Sequence, residues 1–235
     1  MLAVLVLVAA AIWGATGGTG STHHPAATSA PRSTTTTVLT TSTVPTTTVP
    51  LATTTTTVGA GALPQTDALP SADSPQFLAA MADLFGAVAH DTPTTAGDAF
   101  FPEAAYVQLK SIGDASADWQ DRLLAEYELD IGATAAALGP GAPSAVLVSV
   151  QVPMGYAHWV PPGVCDNDVG YYEVANSRMI YSLGGVTRSF GIASLISWRG
   201  EWYVVHLGAI LRPGSGGVVL DPVDGPGQSP PSTTC

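Results

Sequence analysis

"YYEVANSRMIYSLGGVTRSFGIASLISWRGEWYVVHLG", Tyr171–Gly208, decides how this chain folds. Three runs rich in β-branched and aromatic residues are separated by Gly184-Gly185 and by Arg199-Gly200. Two-residue loops containing glycine between such runs signal tight hairpins, so the stretch predicts a three-stranded antiparallel meander. Just upstream, "SAVLVSVQVP" alternates, placing Val146, Val148, Val150 and Val152 on one side, and predicts a fourth strand. Between the two lies a loop, 153–168, with three prolines and two glycines.

Further upstream the period changes. In "DSPQFLAAMADLFGAVAH", Asp73 or Ser74 can cap a helix and Pro75 suits its first turn. Phe77, Met81, Leu84, Phe85 and Val88 then recur at helical spacing. "FFPEAAYVQLKSI" predicts a short helix opened by Pro102, with Phe101, Ala105 and Leu109 on one face. Trp119, Leu123 and Tyr127 lie four apart in a third helical stretch, which Gly139-Pro140 must end. Helices first and an antiparallel sheet last describe an α+β domain, with N-terminal helices packed on a C-terminal sheet of about four strands.

Composition sets the boundaries of that domain. Residues 16–72 are dominated by threonine, proline, alanine and glycine, as in "STTTTVLTTSTVPTTTVPLATTTTTVGAGALP". Such a stretch buries too little surface to balance its ordering entropy, so a disordered linker is expected, of the kind that carries O-linked sugars. Before it, 1–15 is apolar and uncharged. This run is shorter than a bilayer span and lacks the basic flank of a signal peptide. A start further upstream would account for both, and a hydrophobic anchor or a signal segment is expected. The globular domain is read as 73–212, and 213–235 as a Pro/Gly-rich tail tethered by Cys235. The expected location is the cell envelope, outside the cytoplasm, either anchored or secreted. Contact with membrane would come through the N-terminal segment if it is not cleaved.

Net charge is −11, and all 18 acidic residues lie from Asp67 onward. Lys110 is the only lysine. A surface so poor in cations repels phosphate backbones, which excludes nucleic acid as an expected partner.

The stretches "PPGVC", "GYYEVANSR", "RSFGIASLISWRGEWYVVHLG" and the terminal Cys235 resemble a set of uncharacterised actinobacterial secreted or membrane-anchored proteins. That resemblance implies location and boundaries and no particular activity. The order of elements over Asp73–Leu211 resembles the cystatin-like, NTF2-like fold, which implies a curved sheet whose helices help to enclose a cone-shaped pocket.

Two cysteines, Cys165 and Cys235, in an oxidising compartment favour a disulfide. Its loop of about 70 residues would be worth roughly 4 kcal/mol in the chain-entropy account. Cys165 with His158 and Asn167 has the residue types of a Cys-His-Asn hydrolase, but an oxidised cysteine cannot attack. A calcium loop from Asp166 would need oxygen at its fifth position and glutamate at its twelfth; Gly170 and Ser177 stand there. His90, His158 and His206 have no paired spacing for zinc, and no GxSxG or GxxxxGK motif occurs. No metal and no cofactor are expected, and no catalytic residue is assigned.

Hairpin register gives a sharper expectation. With two-residue loops, Leu183 pairs with Val186 and Trp198 with Glu201. Counting back places Asn176 opposite Ala193 and His206, and Arg178 opposite Gly191 and Gly208. Side chains alternate across a strand, so Tyr172, Asn176, Arg178, Trp202 and His206 would share one face. Polar groups beside small residues and framed by aromatics are the ingredients of a ligand pocket. A hairpin with one extra loop residue would send His206 to the other face. That second face, with Ile192, Ile196 and Tyr203, is the more apolar one and suits the helices. The expected function is an extracytoplasmic binding or interaction module on a disordered stalk, for an envelope protein or a small ligand. A pocket enzyme using His206 and Arg178, and a purely structural envelope component, are the alternatives.

Overall fold

In the computed structural model, which describes residues 58–232, the first helix starts where the sequence places its cap. The apolar segment 1–15, the linker up to residue 57 and Cys235 lie outside the described residues. The Ser74 Oγ accepts from the Phe77 N–H at 3.0 Å and opens α1, Pro75–His90. Such a cap is worth about 1 kcal/mol. Met81, Leu84 and Val88 on its apolar stripe are fully buried. Next comes α2, Glu103–Leu109, and Phe101, Ala105 and Leu109 are buried together as their spacing predicts. The Asp114 carboxylate then caps α3, Ala115–Asp118. This helix passes without a break through a π-helical segment, Trp119–Leu124, into α4, Ala125–Leu138. Gly139, at φ 75°, ends it in a backbone conformation that few other residues adopt.

The second half is an open antiparallel sheet of six strands, so the domain is α+β. They are β1 Val146–Gln151, β2 His158–Val160, β3 Tyr171–Leu183, β4 Val186–Trp198, β5 Glu201–His206 and β6 Leu220–Asp224. Their order is β1-β3-β4-β5, with β2 also paired to β3 and β6 to β4. Four of the six answer to the sequence reading. The other two are short: β2 sits inside the proline-rich loop, and β6, "LDPVD", carries Pro222. Proline cannot donate to a ladder and is confined to positions such as sheet edges, so its strand leaves no clear signal.

Both hairpins have the expected register, Leu183 opposite Val186 and Trp198 opposite Glu201. Positive φ at Gly184, Gly185, Arg199 and Gly200 lets the two-residue turns match the strand twist. Register shifts break the alternation in β1, in β5 and where β6 meets β4 between Ser189 and Gly191. In β1 the register shifts between Leu147 and Ser149, so Val146 and Val148 stay exposed while Leu147 and Val150 pack on the core. The common side expected for Val146, Val148, Val150 and Val152 is therefore not formed. In β5, Val204 pairs with Leu195 but His206 pairs with Ser194, which makes Val205 an extra residue. A bulge bends its strand and re-aims the side chains beyond it.

The core lies between the helical segments and one sheet face. Phe85 meets Tyr181 with ring centroids 5.6 Å apart, and Phe101 meets Trp198 and Tyr203 edge-on at 5.9 and 6.0 Å. Irregular chain extends this body at both ends beyond the boundaries read from composition. The Trp198 Nε1 donates to the Ala60 carbonyl at 3.1 Å, and the Gln65 Nε2 donates to the Ser197 carbonyl at 2.9 Å. Residues 60–65 thus lie against the β4–β5 hairpin rather than in a free linker. At the other end β6 and the residues to Pro230 pack on the sheet. Bonds from side chain to backbone anchor such segments with few apolar residues, which is why composition does not mark them.

Candidate functional site

The expected cluster divides between the two faces of the sheet. Arg178 sits opposite Gly191 as expected, but β5 ends before Gly208, and Leu220 of β6 takes the far side of Gly191. The guanidinium, 1% exposed, is fully engaged by the C-terminal segment. Its NH1 donates to Asp221 Oδ2 at 2.8 Å, its NH2 to the Asp221 carbonyl at 2.7 Å and to Ser189 Oγ at 2.9 Å. Nε donates to the Pro226 carbonyl at 3.1 Å. A Cβ on Gly227 would come within 2.3 Å of this group, so only glycine lets the chain close over it. Asn176, at φ 56°, donates to the Pro230 carbonyl at 2.9 Å. A crevice of about 150 Å³ remains between these residues and the tail. Tyr172 packs edge-on against Trp159 at 5.1 Å, and Trp202 is buried. Of these residues, Arg178 and Asn176 hold the tail to the sheet, while the buried Trp202 Nε1 has no hydrogen-bond partner.

His206 is elsewhere. The extra residue at Val205 moves it off the Arg178 face and pairs it with Ser194, on the face that carries Ile192 and Ile196. There it lines a cavity of about 170 Å³ whose walls include Leu109, Leu123, Ile196 and Ile210. Polar side chains also line it: Tyr106, Lys110, Arg122, Tyr171, Ser194 and the imidazole. Ser194 is 1% exposed and its Oγ has no hydrogen-bond partner. The half-buried imidazole lines the same cavity. Most buried polar groups find a partner, so the unpartnered Ser194 hydroxyl in this cavity is informative. A larger cleft of about 610 Å³, lined by Asp83, Asp98, Glu103 and Trp119, is more open and holds no such buried orphan group.

Local electrostatics follow from how the helices present their charges. Arg122 lies in the π-helical segment, a distortion often found at functional sites. It donates through Nε to Asp118 Oδ1 at 2.7 Å and through NH2 to Asp118 Oδ2 at 2.6 Å. The Tyr106 hydroxyl donates to the same carboxylate at 2.5 Å, and burial together with Asp118 pushes its ionisation well up. Hydrogen bonds from Arg122 hold the Asp118 carboxyl below its usual range. Lys110 donates to the Cys165 carbonyl at 2.8 Å, and burial lowers its pKa. Burial, then Arg122, Arg212 and Lys110, push His206 down to about 4. The ring is therefore neutral at pH 7, with one nitrogen able to donate and the other to accept.

The 161–168 loop is scaffolding for this wall. The Ser111 N–H donates to the Asp166 carbonyl at 2.9 Å and the Asp168 N–H to the Leu109 carbonyl at 2.8 Å, docking the loop on the end of α2. These bonds hold Cys165 and Asp166 at positive φ. His158 faces Glu173 at 4.0 Å, while Asn167 donates to the Val164 carbonyl at 2.6 Å. No side-chain hydrogen bond links Cys165, His158 and Asn167 among the described residues. Among those residues no group of three His, Cys, Asp or Glu is placed to hold a metal ion.

The sequence reading missed one buried ionic cluster. Asp130, fully buried in α4, accepts from Arg212 NH1 and NH2 at 2.9 and 2.6 Å. It also accepts from the backbone N–H groups of Gly208 and Val218 at 2.8 and 2.7 Å. A carboxylate between Tyr127, Ile131 and Thr134 on one apolar helix face was the available signal. The residues around His206 were missed for a different reason: Tyr106, Lys110 and Arg122 come from helices whose register on the sheet no local pattern encodes. No family model, no curated protein and no solved structure matches this chain.

Proposed function

We propose that the chain is an extracytoplasmic binding module that holds a small, largely apolar ligand in the cavity at His206. One observation carries this reading: the buried Ser194 Oγ stands without a hydrogen-bond partner in a cavity walled by Leu109, Leu123, Ile196 and Ile210. Small-molecule sites are concave, mostly apolar and fitted with a few placed polar groups. The bulge at Val205 supports a curved sheet of the NTF2-like kind, whose helices would help enclose the pocket. Composition supports the setting, an apolar segment at 1–15 and a Thr/Pro-rich stalk that displays the domain at the cell envelope. A bridge from Cys165 to Cys235 would fasten the tail that Arg178 and Asn176 already hold.

Titrating the full chain with a small-fragment set tests the ligand reading by NMR. Shifts confined to Ser194, His206 and their neighbours are expected, and they should vanish in Val205→Phe, which fills the cavity. Fragments that never perturb these residues, or that perturb the filled variant equally, would overturn it.

A further inference from the structure

We infer that the ligand is a neutral, benzene-sized molecule bearing a hydroxyl group, which it seats against Ser194 Oγ. This rests on the cavity being a ligand site and adds the ligand's charge and its polar group.

Size comes first. A dry cavity of about 150 Å³ accommodates benzene, so the roughly 170 Å³ here takes a body of that volume. Leu109, Leu123 and Ile196, all buried, supply apolar walls for it.

Hydrogen bonds already in place decide the charge. Both cations in the wall are engaged. Arg122 donates to the two Asp118 oxygens at 2.7 and 2.6 Å, and Lys110 donates to the Cys165 carbonyl at 2.8 Å. Asp118 is further committed to the Tyr106 hydroxyl at 2.5 Å. An anion would have to draw Arg122 from its carboxylate or Lys110 from the loop. A cation would find no carboxylate among the described residues that line the cavity. A buried charge without its own counter-charge is strongly disfavoured, so a neutral guest fits this wall best.

Ser194 selects the polar group. It is 1% exposed, it lines the cavity, and its Oγ has no hydrogen-bond partner. A serine hydroxyl offers a donor and acceptor lone pairs. A ligand hydroxyl can answer either, a carbonyl only the donor, and a hydrocarbon leaves both unmet at the cost of a buried orphan group. The step is binding alone, with no bond made or broken in ligand or protein.

Calorimetric titration of the full chain at neutral pH with phenol, toluene, benzoate and benzylammonium tests this. Benzoate and benzylammonium should each bind at least about tenfold more weakly than phenol. Ser194→Ala should weaken phenol at least about fivefold and leave toluene no weaker. Phenol affinity unchanged in Ser194→Ala, as when a lodged water already serves that hydroxyl, would overturn the hydroxyl assignment. Toluene binding without phenol would overturn it too. Either charged probe binding as tightly as phenol, a comparison that needs no variant, would overturn the neutral ligand. In each of these cases the cavity remains a ligand site. If none of the four probes binds, both readings fall together.

Discussion

Arg178 and Ser194, buried polar residues on opposite faces of the sheet, are treated in opposite ways. On one, Arg178 and Asn176 are covered by the C-terminal segment, and the guanidinium finds Ser189, Asp221 and Pro226 as partners. On the other, Ser194 and His206 line a cavity, and the Ser194 hydroxyl finds none. Asp130 belongs with the first kind, since Arg212 and two backbone N–H groups saturate its carboxylate. A buried polar group that the chain itself satisfies is part of the scaffold. One that the chain leaves unsatisfied retains hydrogen-bonding capacity that a ligand can use, at a cost to stability. The difference separates residues that residue type alone groups together.

The largest effect should come from the saturated kind. Asp130→Ala leaves Arg212 without its main partner and frees the backbone of Gly208 and Val218, so a loss of about 3–5 kcal/mol is expected in urea unfolding. A loss below about 1 kcal/mol would show that the strap closes without this carboxylate. Arg178→Met, which keeps much of the volume, should cost about 2–3 kcal/mol and loosen β6. Hydrogen exchange at 220–228 checks the second part, and unchanged protection there would contradict it. Next, Cys235→Ser should lower the melting temperature in non-reducing buffer by the equivalent of about 2 kcal/mol. An identical melting curve would mean that no bridge to Cys165 contributes.

The smallest effect at neutral pH belongs to the unsatisfied side. His206→Gln should change stability by no more than about 0.5 kcal/mol near pH 7.5, because a neutral ring is replaced by another neutral group. Acid changes this. His206 has a folded pKa of about 4, below its unfolded value of about 6.5, so the unfolded chain binds more protons between these limits. The stability associated with the neutral ring is fully present above about pH 6.5 and is lost as pH falls toward about 4, by up to about 3 kcal/mol. Glutamine does not titrate, so the variant should lose correspondingly less over that window. Parallel pH profiles for the two proteins would contradict the burial of the ring.

How much of this was legible depends on where information is local. The hairpins were, because Gly184-Gly185 and Arg199-Gly200 each fix a register within a few residues. The helix start at Ser74 and the stop at Gly139 were, because caps are local chemistry. The bulges at Val148 and Val205 were not: in "VLVSV" and "YVVH" apolar residues occupy both parities, so the pattern does not say which one is extra. That ambiguity moved His206 from the Arg178 face to the Ser194 face, and with it the candidate site. Its strand could be read from the sequence, while its neighbours in the cavity could not. The strand at Leu220–Asp224 escaped because Pro222 and the surrounding glycines are typical of tails, and its anchor, Arg178, lies more than 40 residues earlier.

The central claim is that the His206 ring is neutral and lines a cavity that accepts a ligand. Tracking its imidazole nitrogens by NMR across pH tests this most directly. A midpoint near 4 is the predicted result. A midpoint near about 6.5 would contradict it, since that is how a solvated histidine behaves.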